Sequence, residues 1–172
     1  NGSRIRAQAE QLQLKLDGCE IEEAPGPTAA AHQAVALARE GDVQAVMQGV
    51  VTVGMLMHAV MDHSDGLLTH RRVSHAYIAD VPTYPRPFIV TDAAINIQPT
   101  LEDKRDIVQN AIDLARTLGL SEPRVAILSA AETVHSTLSS SMDAAALCKM
   151  LERHQIAGGI VDGPLSLDAA IN

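Results

Sequence analysis

Short apolar runs rich in β-branched residues alternate along the chain with longer amphipathic segments. The short runs, which predict strands, lie at 43–47, 73–78, 88–91, 125–128 and 159–161. The amphipathic segments, which predict helices, lie at 4–16, 28–39, 53–61, 101–118 and 142–153. Strands separated by helices in this way are typical of βαβ units. The pattern therefore predicts an α/β fold with a largely parallel sheet.

Local signals mark the ends of several predicted helices. Thr28 and Thr100 each precede an amphipathic segment, where a hydroxyl can cap the first backbone N–H groups. Gly119 follows the segment 101–118, in the usual C-terminal place for glycine. The polar, glycine-containing stretch 63–70 lies between predicted elements and indicates a joint between domains.

Composition and charge exclude some classes of partner. Hydrophobic residues make up 47% of the 172 residues, which is enough for a packed core, whereas aromatic residues make up only 2%. Thirteen basic residues against 21 acidic ones give a formal net charge of −8, so we expect no nucleic-acid partner. The longest apolar stretch, 50–61, is interrupted by polar residues and is too short to cross a bilayer, so no membrane association is expected.

Polar residues follow three predicted strands at the edge where α/β sheets bind ligands. The strand 88–91 ends at Thr91 and is followed by Asp92 and Asn96, the strand 125–128 is followed by Ser129 and Glu132, and the strand 159–161 is followed by Asp162 with Gly163 and Pro164. Each residue alone is better explained as a helix cap or a turn, but three such places on one predicted edge make a site more plausible. Arg71 and Arg72 are the best cationic pair for an anionic ligand, although a solvated surface pair is an equal interpretation.

Other kinds of site are not indicated. The histidines and aspartates between Asp62 and His75 have no recognisable metal-ligand spacing, and solvated loop residues are the better interpretation. The chain has no G-x-S-x-G motif, no phosphate-binding P-loop and no dinucleotide fingerprint. Cys19 and Cys148 are far apart in the sequence, and reduced thiols are expected.

Four segments together resemble the phosphate acetyl/butyryltransferase (phosphotransacylase) family. They are Arg71-Arg72-Val73-Ser74-His75, Thr91-Asp92-Ala93-Ala94-Ile95-Asn96, Asp143-Ala144-Ala145-Ala146-Leu147 and Val161-Asp162-Gly163-Pro164-Leu165. The likeness keeps its order from about residue 29 to the end. It looks closer to the butyryl-type members, and to the transferase half of a bifunctional enoyl-CoA hydratase/phosphate acetyltransferase.

The resemblance implies an architecture and a reaction. Such enzymes interconvert acyl-CoA and phosphate with acyl phosphate and coenzyme A, which are substrates, and no cofactor is expected. The implied fold is a three-layer, two-domain α/β architecture like that of isocitrate/isopropylmalate dehydrogenases, present here only in part. Residues 1–66 would be part of the first domain and 67–172 most of the second. A cytoplasmic homodimer is expected.

The resemblance also suggests substrate-binding positions. Arg71 and Ser74 are candidate phosphate contacts, followed by Thr91, Asp92 and Asn96 at a strand end, and by Asp162 and Gly163 as weaker candidates. The Ser, Arg and Asp that act in the family lie in a later segment that no position here matches. No catalytic residue is therefore assigned, and the chain alone is expected to be inactive.

Two departures from the family pattern count against phosphate binding in the usual way. Leu68 and His58 stand where basic residues are expected in relatives. The alternative to an enzyme is a non-catalytic acyl-CoA-binding or structural α/β domain of the same fold. A metal-dependent dehydrogenase of the isocitrate type is disfavoured, because the sequence lacks a cluster of metal-binding carboxylates.

Overall fold

The computed structural model describes residues 1–171 and divides the chain into two compact units. The first unit is Asn1–His70, and the second begins at Arg71. Within the described residues, every helix is too short or too polar to span a membrane.

The first unit contains three helices: α1 (Gly2–Gln11), α2 (Pro27–Glu40) and α3 (Val53–Val60). Its core is small, because it consists of Ala31, Val35 and Ala59 where α2 packs against α3. Thr52 caps α3 by accepting a hydrogen bond from the Met55 N–H.

Three predictions for this unit were wrong. Helix α1 ends at Gln11 rather than at residue 16. Helix α2 begins at Pro27 with Gly26 as its N-cap, so Thr28 lies inside the helix, because proline is well suited to the first helical position. The run 43–47 is not a strand, and Met47 is 95% exposed. A strand needs a hydrogen-bonded partner, and the described residues of this unit contain no other strand.

The second unit contains two separate two-stranded sheets. Strand β1 (Ala76–Ala79) pairs with β2 (Phe88–Thr91), and β3 (Arg124–Leu128) pairs with β4 (Ile160–Leu165). The helices are α4 (Leu101–Thr117), α5 (Ser139–Glu152) and α6 (Leu167–Ile171). The main core lies where α4 and α5 pack with the second sheet, and consists of Val108, Ile112, Leu147, Ile156 and Val161.

The α/β class is confirmed, but only one of the two described sheets is parallel. β3, α5 and β4 form a βαβ unit with a parallel strand pair, as predicted. β1 and β2 are antiparallel, with Ala76 opposite Thr91 and Ala79 opposite Phe88. The connection 80–87 explains this direction, since a parallel pair needs a crossover of about a dozen residues or more.

Strand β4 is longer than predicted and includes the residues that were expected to form a turn. Asp162 lies opposite Ala126, and Leu165 lies opposite Leu128. The register is irregular between these two pairs, and irregularities of this kind tolerate a strand proline such as Pro164. The predicted turn after residue 161 was therefore wrong.

Helix α4 confirms its predicted cap. Thr100 Oγ1 accepts a hydrogen bond from the Asp103 N–H at 3.2 Å, and Asp103 Oδ2 accepts one from the Thr100 N–H at 2.9 Å. This reciprocal capping box satisfies donors at the first turn. It fixes the start of the helix to which the candidate site is attached.

Candidate functional site

The two arginines that begin the second unit are bonded to neighbouring polar residues. Arg71 Nη1 lies 2.5 Å from Asp113 Oδ2 on α4. Arg72 Nε donates to Asn96 Oδ1 at 2.8 Å and lies 3.8 Å from Asp103 Oδ1. The Arg72 side chain as a whole remains 57% exposed. An incoming anion would therefore share these cations with groups of the protein.

The polar face of α4 holds the segment 71–74 by its backbone and by its serine. Asp106 Oδ2 accepts a hydrogen bond from the Arg72 N–H at 2.9 Å. Asn110 Nδ2 donates to the Arg72 carbonyl at 2.9 Å and to Ser74 Oγ at 3.0 Å. With Arg71 on Asp113, these contacts place the two predicted phosphate contacts, Arg71 and Ser74, along one helix.

The carboxylates of this face are kept ionised. Burial alone would raise the pKa of Asp106, but the Arg72 N–H and the Arg105 guanidinium outweigh it, and the pKa lies below its usual value. Burial also opposes ionisation of Asp113, yet its hydrogen bonds with Arg71 and Gln109 lower its pKa. Both groups therefore accept hydrogen bonds as anions.

Asp92, directly after β2, receives four hydrogen bonds. Its Oδ1 accepts from the Ala94 and Ile95 N–H groups, both at 2.9 Å. Its Oδ2 accepts from the His75 N–H at 3.2 Å and from Asn96 Nδ2 at 2.5 Å. Burial works against the charged form, but these donors outweigh it and lower the pKa of Asp92 to about 2. Asp92 is thus a fixed anion that organises the loop around it.

Thr91 and Asn96 connect the end of β2 to the segment that carries Ser74. Thr91 Oγ1 donates to the His75 carbonyl at 2.7 Å, and Asn96 Nδ2 donates to the Val73 carbonyl at 2.9 Å. The structure therefore brings together five of the seven predicted substrate-binding residues in one network: Arg71, Ser74, Thr91, Asp92 and Asn96.

His75 lies in the same network and was not predicted as part of it. Its ring contacts the Tyr77 ring edge-on, with centroids 4.4 Å apart. Its Nδ1 atom is buried and has no hydrogen-bond partner within the described residues. The sequence signal was weak, because His75 was considered for a metal site and stood at the end of the family-like segment 71–75, but no role was assigned to it.

Asp162 and Gly163 are not part of this network. They lie within β4, where Asp162 Oδ1 accepts from the Gly163 N–H at 2.9 Å. A Cβ atom on Gly163 would lie 2.7 Å from the Ile127 carbonyl oxygen, so the glycine is needed for close strand packing. Cys148 Sγ lies 3.6 Å from the Gly163 carbonyl, and burial, with a smaller effect of Asp162, raises the pKa of its thiol.

The residues after β3 form a second polar group. The Ser129 N–H donates to the Leu165 carbonyl at 2.9 Å, and Ser129 Oγ lies 2.9 Å from Ser140 Oγ. Glu132 Oε1 accepts from Ser166 Oγ at 2.5 Å. The predicted single rim of polar residues is therefore divided, because β2 belongs to a different sheet from β3 and β4.

The first unit has a shallow groove on α3. The groove has a volume of about 420 Å³, and its lining comprises Gly54, Met57, His58, Met61, Asp62 and His63. Hydrogen bonds from the Asp65 and Ser64 backbone and from the Ser64 hydroxyl hold the pKa of Asp62 well below its usual value. In residues 1–171, no three His, Cys, Asp or Glu side chains are arranged to hold a metal ion.

The second unit combines a βαβ unit with a polar, arginine-containing segment beside α4, which makes the chain an α/β protein. The family described as phosphate acetyl/butaryl transferase matches residues 5–172. The chain therefore belongs to the phosphate acetyl/butyryltransferase family.

Individual relatives agree with this assignment. The chain is 52% identical over 170 residues to a phosphate acetyltransferase of Rhizobium meliloti, covering 99% of this chain and 54% of that protein. It is 40% identical over 164 residues to a probable phosphate butyryltransferase of Bacillus subtilis, covering 94% of this chain and 55% of that protein. The chain thus spans about half the length of these curated relatives.

A solved structure is similar in fold. The branched-chain phosphotransacylase from Enterococcus faecalis V583 matches with a TM-score of 0.72 and 32% sequence identity. The match covers 84% of this chain and 51% of that chain.

Proposed function

We propose that this chain is part of a phosphate acyltransferase that interconverts acyl-CoA and phosphate with acyl phosphate and coenzyme A. The observation that carries the proposal is the family match over residues 5–172. The names of the relatives support acetyl or butyryl groups as the acyl chain. Coenzyme A and phosphate are the substrates, and no further cofactor is proposed.

The reaction sets requirements for the site. A phosphate oxygen attacks the thioester carbonyl, the carbon–sulfur bond breaks, and the departing coenzyme A thiolate takes up a proton. In the reverse direction the thiolate attacks the carbonyl of the acyl phosphate and releases phosphate. Either direction needs donors for a phosphate anion and stabilisation of the carbonyl oxygen as it gains charge.

The segment 71–74 supplies donors for a phosphate anion. Arg71, Arg72 and Ser74 lie on consecutive or nearly consecutive positions beside α4, and guanidinium and hydroxyl donors suit phosphate oxygens. Asp92 does not serve as the base, because a carboxylate with a pKa of about 2 is a weak proton acceptor at neutral pH. Its proposed role is to hold the loop that Asn96 and Thr91 complete.

The complete protein is proposed to have the two-domain, three-layer architecture of the isocitrate/isopropylmalate dehydrogenases. Residues 1–66 would contribute to its first domain and 67–172 to its second. A cytoplasmic homodimer, and fusion to an enoyl-CoA hydratase, are further parts of the proposal. Light scattering of the product of the complete gene, together with its full sequence, tests the dimer and the fusion.

The decisive experiment is phosphate-dependent release of coenzyme A from acetyl-CoA and butyryl-CoA. It is made on this chain and on the product of the complete gene, with chromatographic detection of coenzyme A, because Cys19 and Cys148 react with thiol reagents. Release by the complete product alone supports the transferase and places its catalytic residues outside this chain. Release by neither refutes the proposal.

A non-catalytic acyl-CoA-binding domain is the second candidate. One observation favours it: the Arg71 guanidinium forms an ion pair with Asp113 of the protein, so part of its charge is already neutralised without a substrate anion. Binding of acyl-CoA without any turnover by the complete gene product would support this alternative.

A further inference from the structure

We propose that Asn110 is a positioning residue that directs the hydroxyl donor of Ser74 toward a phosphate oxygen of the substrate. This inference rests on the proposed function, since it assigns a role in that same site. Its starting point is a single amide group that donates both to the Arg72 carbonyl, at 2.9 Å, and to Ser74 Oγ, at 3.0 Å.

The chemistry of the Arg72 carbonyl fixes the orientation of the Asn110 amide. A carbonyl oxygen can only accept hydrogen bonds, so the Asn110 atom that faces it must be the NH₂ nitrogen. The same nitrogen faces Ser74 Oγ. Since an amide NH₂ group only donates, Ser74 is the acceptor in this contact.

It follows that the Ser74 hydroxyl keeps its own proton for another partner. Among residues 1–171, no acceptor is bonded to this hydroxyl. Because Ser74 is only half-buried, a ligand from outside can reach it. The hydrogen bond from Asn110 occupies one lone pair of Ser74 Oγ and thereby disfavours rotation of the O–H toward α4. The donor is left to point away from the helix.

Three side chains of α4 hold the segment 71–74 in a fixed position along the helix. Asp106, Asn110 and Asp113 follow the spacing i, i+4 and i+7, which places them on one face of a helix. Asp106 binds the Arg72 N–H, and Asn110 binds the Arg72 carbonyl and Ser74. Asp113 binds the Arg71 guanidinium. The opposite face carries the fully buried Ile112, so the helix that holds Asn110 is itself fixed by the core.

Phosphate is the ligand proposed for this segment, because its residues supply the kinds of donor that phosphate oxygens accept. Ser74 supplies a neutral donor, and Arg71 and Arg72 supply cationic donors from the same short segment. Inorganic phosphate and the phosphoryl group of an acyl phosphate present the same oxygens. The test therefore uses inorganic phosphate as the probe.

A double-mutant cycle tests the inference. On the complete gene product, Ser74→Ala is expected to raise the KM for phosphate about tenfold with a smaller change in kcat, because a hydrogen bond to a charged ligand is lost. Asn110→Leu removes the donors without adding charge and is expected to raise the same KM several-fold. In the Ser74→Ala background, Asn110→Leu should raise the KM by a smaller factor, because only the hydrogen bond to the Arg72 carbonyl is then lost.

The cycle separates positioning from a structural role. If Asn110 only stabilised the fold, its substitution would change the KM equally with or without the Ser74 hydroxyl, and that result would overturn the inference. Asn110→Asp is the second variant if Asn110→Leu does not fold. Its carboxylate would accept a hydrogen bond from the Ser74 O–H and turn this donor toward α4. The KM for phosphate is therefore expected to rise more than in Ser74→Ala. An unchanged KM would contradict the inference.

The outcomes also separate this inference from the proposed function. Turnover by the unmodified protein with no effect of Ser74→Ala refutes the inference and leaves the transferase intact. Should the complete gene product bind phosphate without turnover, the same cycle is read from the Kd for phosphate, with the same expected ratios. Absence of both turnover and phosphate binding refutes the function and the inference together.

Discussion

The guanidinium Nη1 atom of Arg71 lies 2.5 Å from the carboxylate Oδ2 atom of Asp113. The family resemblance implies Arg71 as a phosphate contact, and a phosphate bound there would compete with this carboxylate. The two side chains are 37% and 47% exposed, so the pair is expected to contribute at most about 1 kcal/mol. A doubly charged anion would therefore be able to displace the Asp113 carboxylate from the Arg71 guanidinium.

Asp113→Asn should consequently strengthen phosphate binding. Removing a competing charge worth up to about 1 kcal/mol should lower the Kd for inorganic phosphate by up to about fivefold. Calorimetric titration of the chain with phosphate measures the change. Asp143→Asn is the matched control, because it removes the same charge from a different ion pair, with Lys104. Equal effects of the two variants would show that Arg71 is not the cation involved.

The elements with strong local signals were predicted well from the sequence. Helix α4 has a capping box at Thr100 and a continuous apolar face, and both depend only on residues close in sequence. The unit β3–α5–β4 followed from the alternation of short and long segments. The start and stop signals of the helix and the alternation of short and long apolar segments can both be read directly from the sequence.

Features that depend on distant partners were predicted less well. The direction of β1 relative to β2, and the extension of β4 through Pro164, depend on which strand lies alongside. The run 43–47 has the composition of a strand but finds no partner in the described part of the first unit. Composition alone does not report pairing.

The candidate site shows the same division. Residue type indicates Arg71, the position after a strand indicates Asp92, and only the resemblance to the family indicates Ser74. Asn110 and Asp106 were missed, because single polar residues on a helix surface usually face solvent. Their spacing with Asp113 at i, i+4 and i+7 was the available signal, and only the structure shows what they bind.

Asp92 is expected to make stability depend on pH in the acidic range. Its pKa is lowered from 3.8 to about 2 in the folded protein, so the unfolded chain takes up the proton first as the pH falls. The contribution of Asp92 is therefore fully present above about pH 5 and is lost as the pH falls through 4 toward 2. The donors on its oxygens are the physical cause.

Asp92→Asn tests this dependence. The amide oxygen can still accept hydrogen bonds from the Ala94 and Ile95 N–H groups, but the NH₂ group would face the His75 and Asn96 donors. We therefore expect the free energy of unfolding to fall by about 1 kcal/mol at pH 6. The difference from the unmodified chain, measured by urea unfolding, should shrink as the pH approaches 3. Asp80→Asn is the control, since Asp80 is exposed and accepts no hydrogen bond within the described residues. A difference that is constant with pH would contradict the assignment.

His75 is expected to cost stability through its buried ring nitrogen. Nδ1 has no partner in the described part of the chain, and an unsatisfied buried polar atom costs about 1–3 kcal/mol. His75→Phe should therefore raise the free energy of unfolding by about 1 kcal/mol, because it removes this atom and keeps the ring contact with Tyr77. Urea unfolding measures the change. His75→Leu, which loses the ring contact, should give a smaller gain.

A loss of stability in His75→Phe would show that Nδ1 has a partner in solution. If the variant is more stable but the complete gene product loses phosphate-dependent turnover, His75 serves the reaction at the expense of stability. Activity that is unchanged in a more stable variant would show that the ring has only a packing role.

Gly163 is expected to be required for the packing of β4 against β3. A Cβ atom at this position would lie 2.7 Å from the Ile127 carbonyl oxygen and 2.9 Å from Ile127 Cβ. Both distances are shorter than side chains tolerate, and the nearest atom belongs to the backbone of the paired strand, which cannot move without disturbing the ladder. Gly163→Ala should therefore lower the free energy of unfolding by about 1–3 kcal/mol.

Gly54→Ala is the matched control for this substitution. Gly54 lies in α3, and a Cβ atom there would meet nothing within 4 Å, so we expect no loss and a gain of up to about 1 kcal/mol from helix propensity. Urea unfolding of both variants, followed by circular dichroism, gives the comparison. Gly163→Ala within about 0.5 kcal/mol of the unmodified chain would contradict the packing role and would return Gly163 to consideration as a substrate contact.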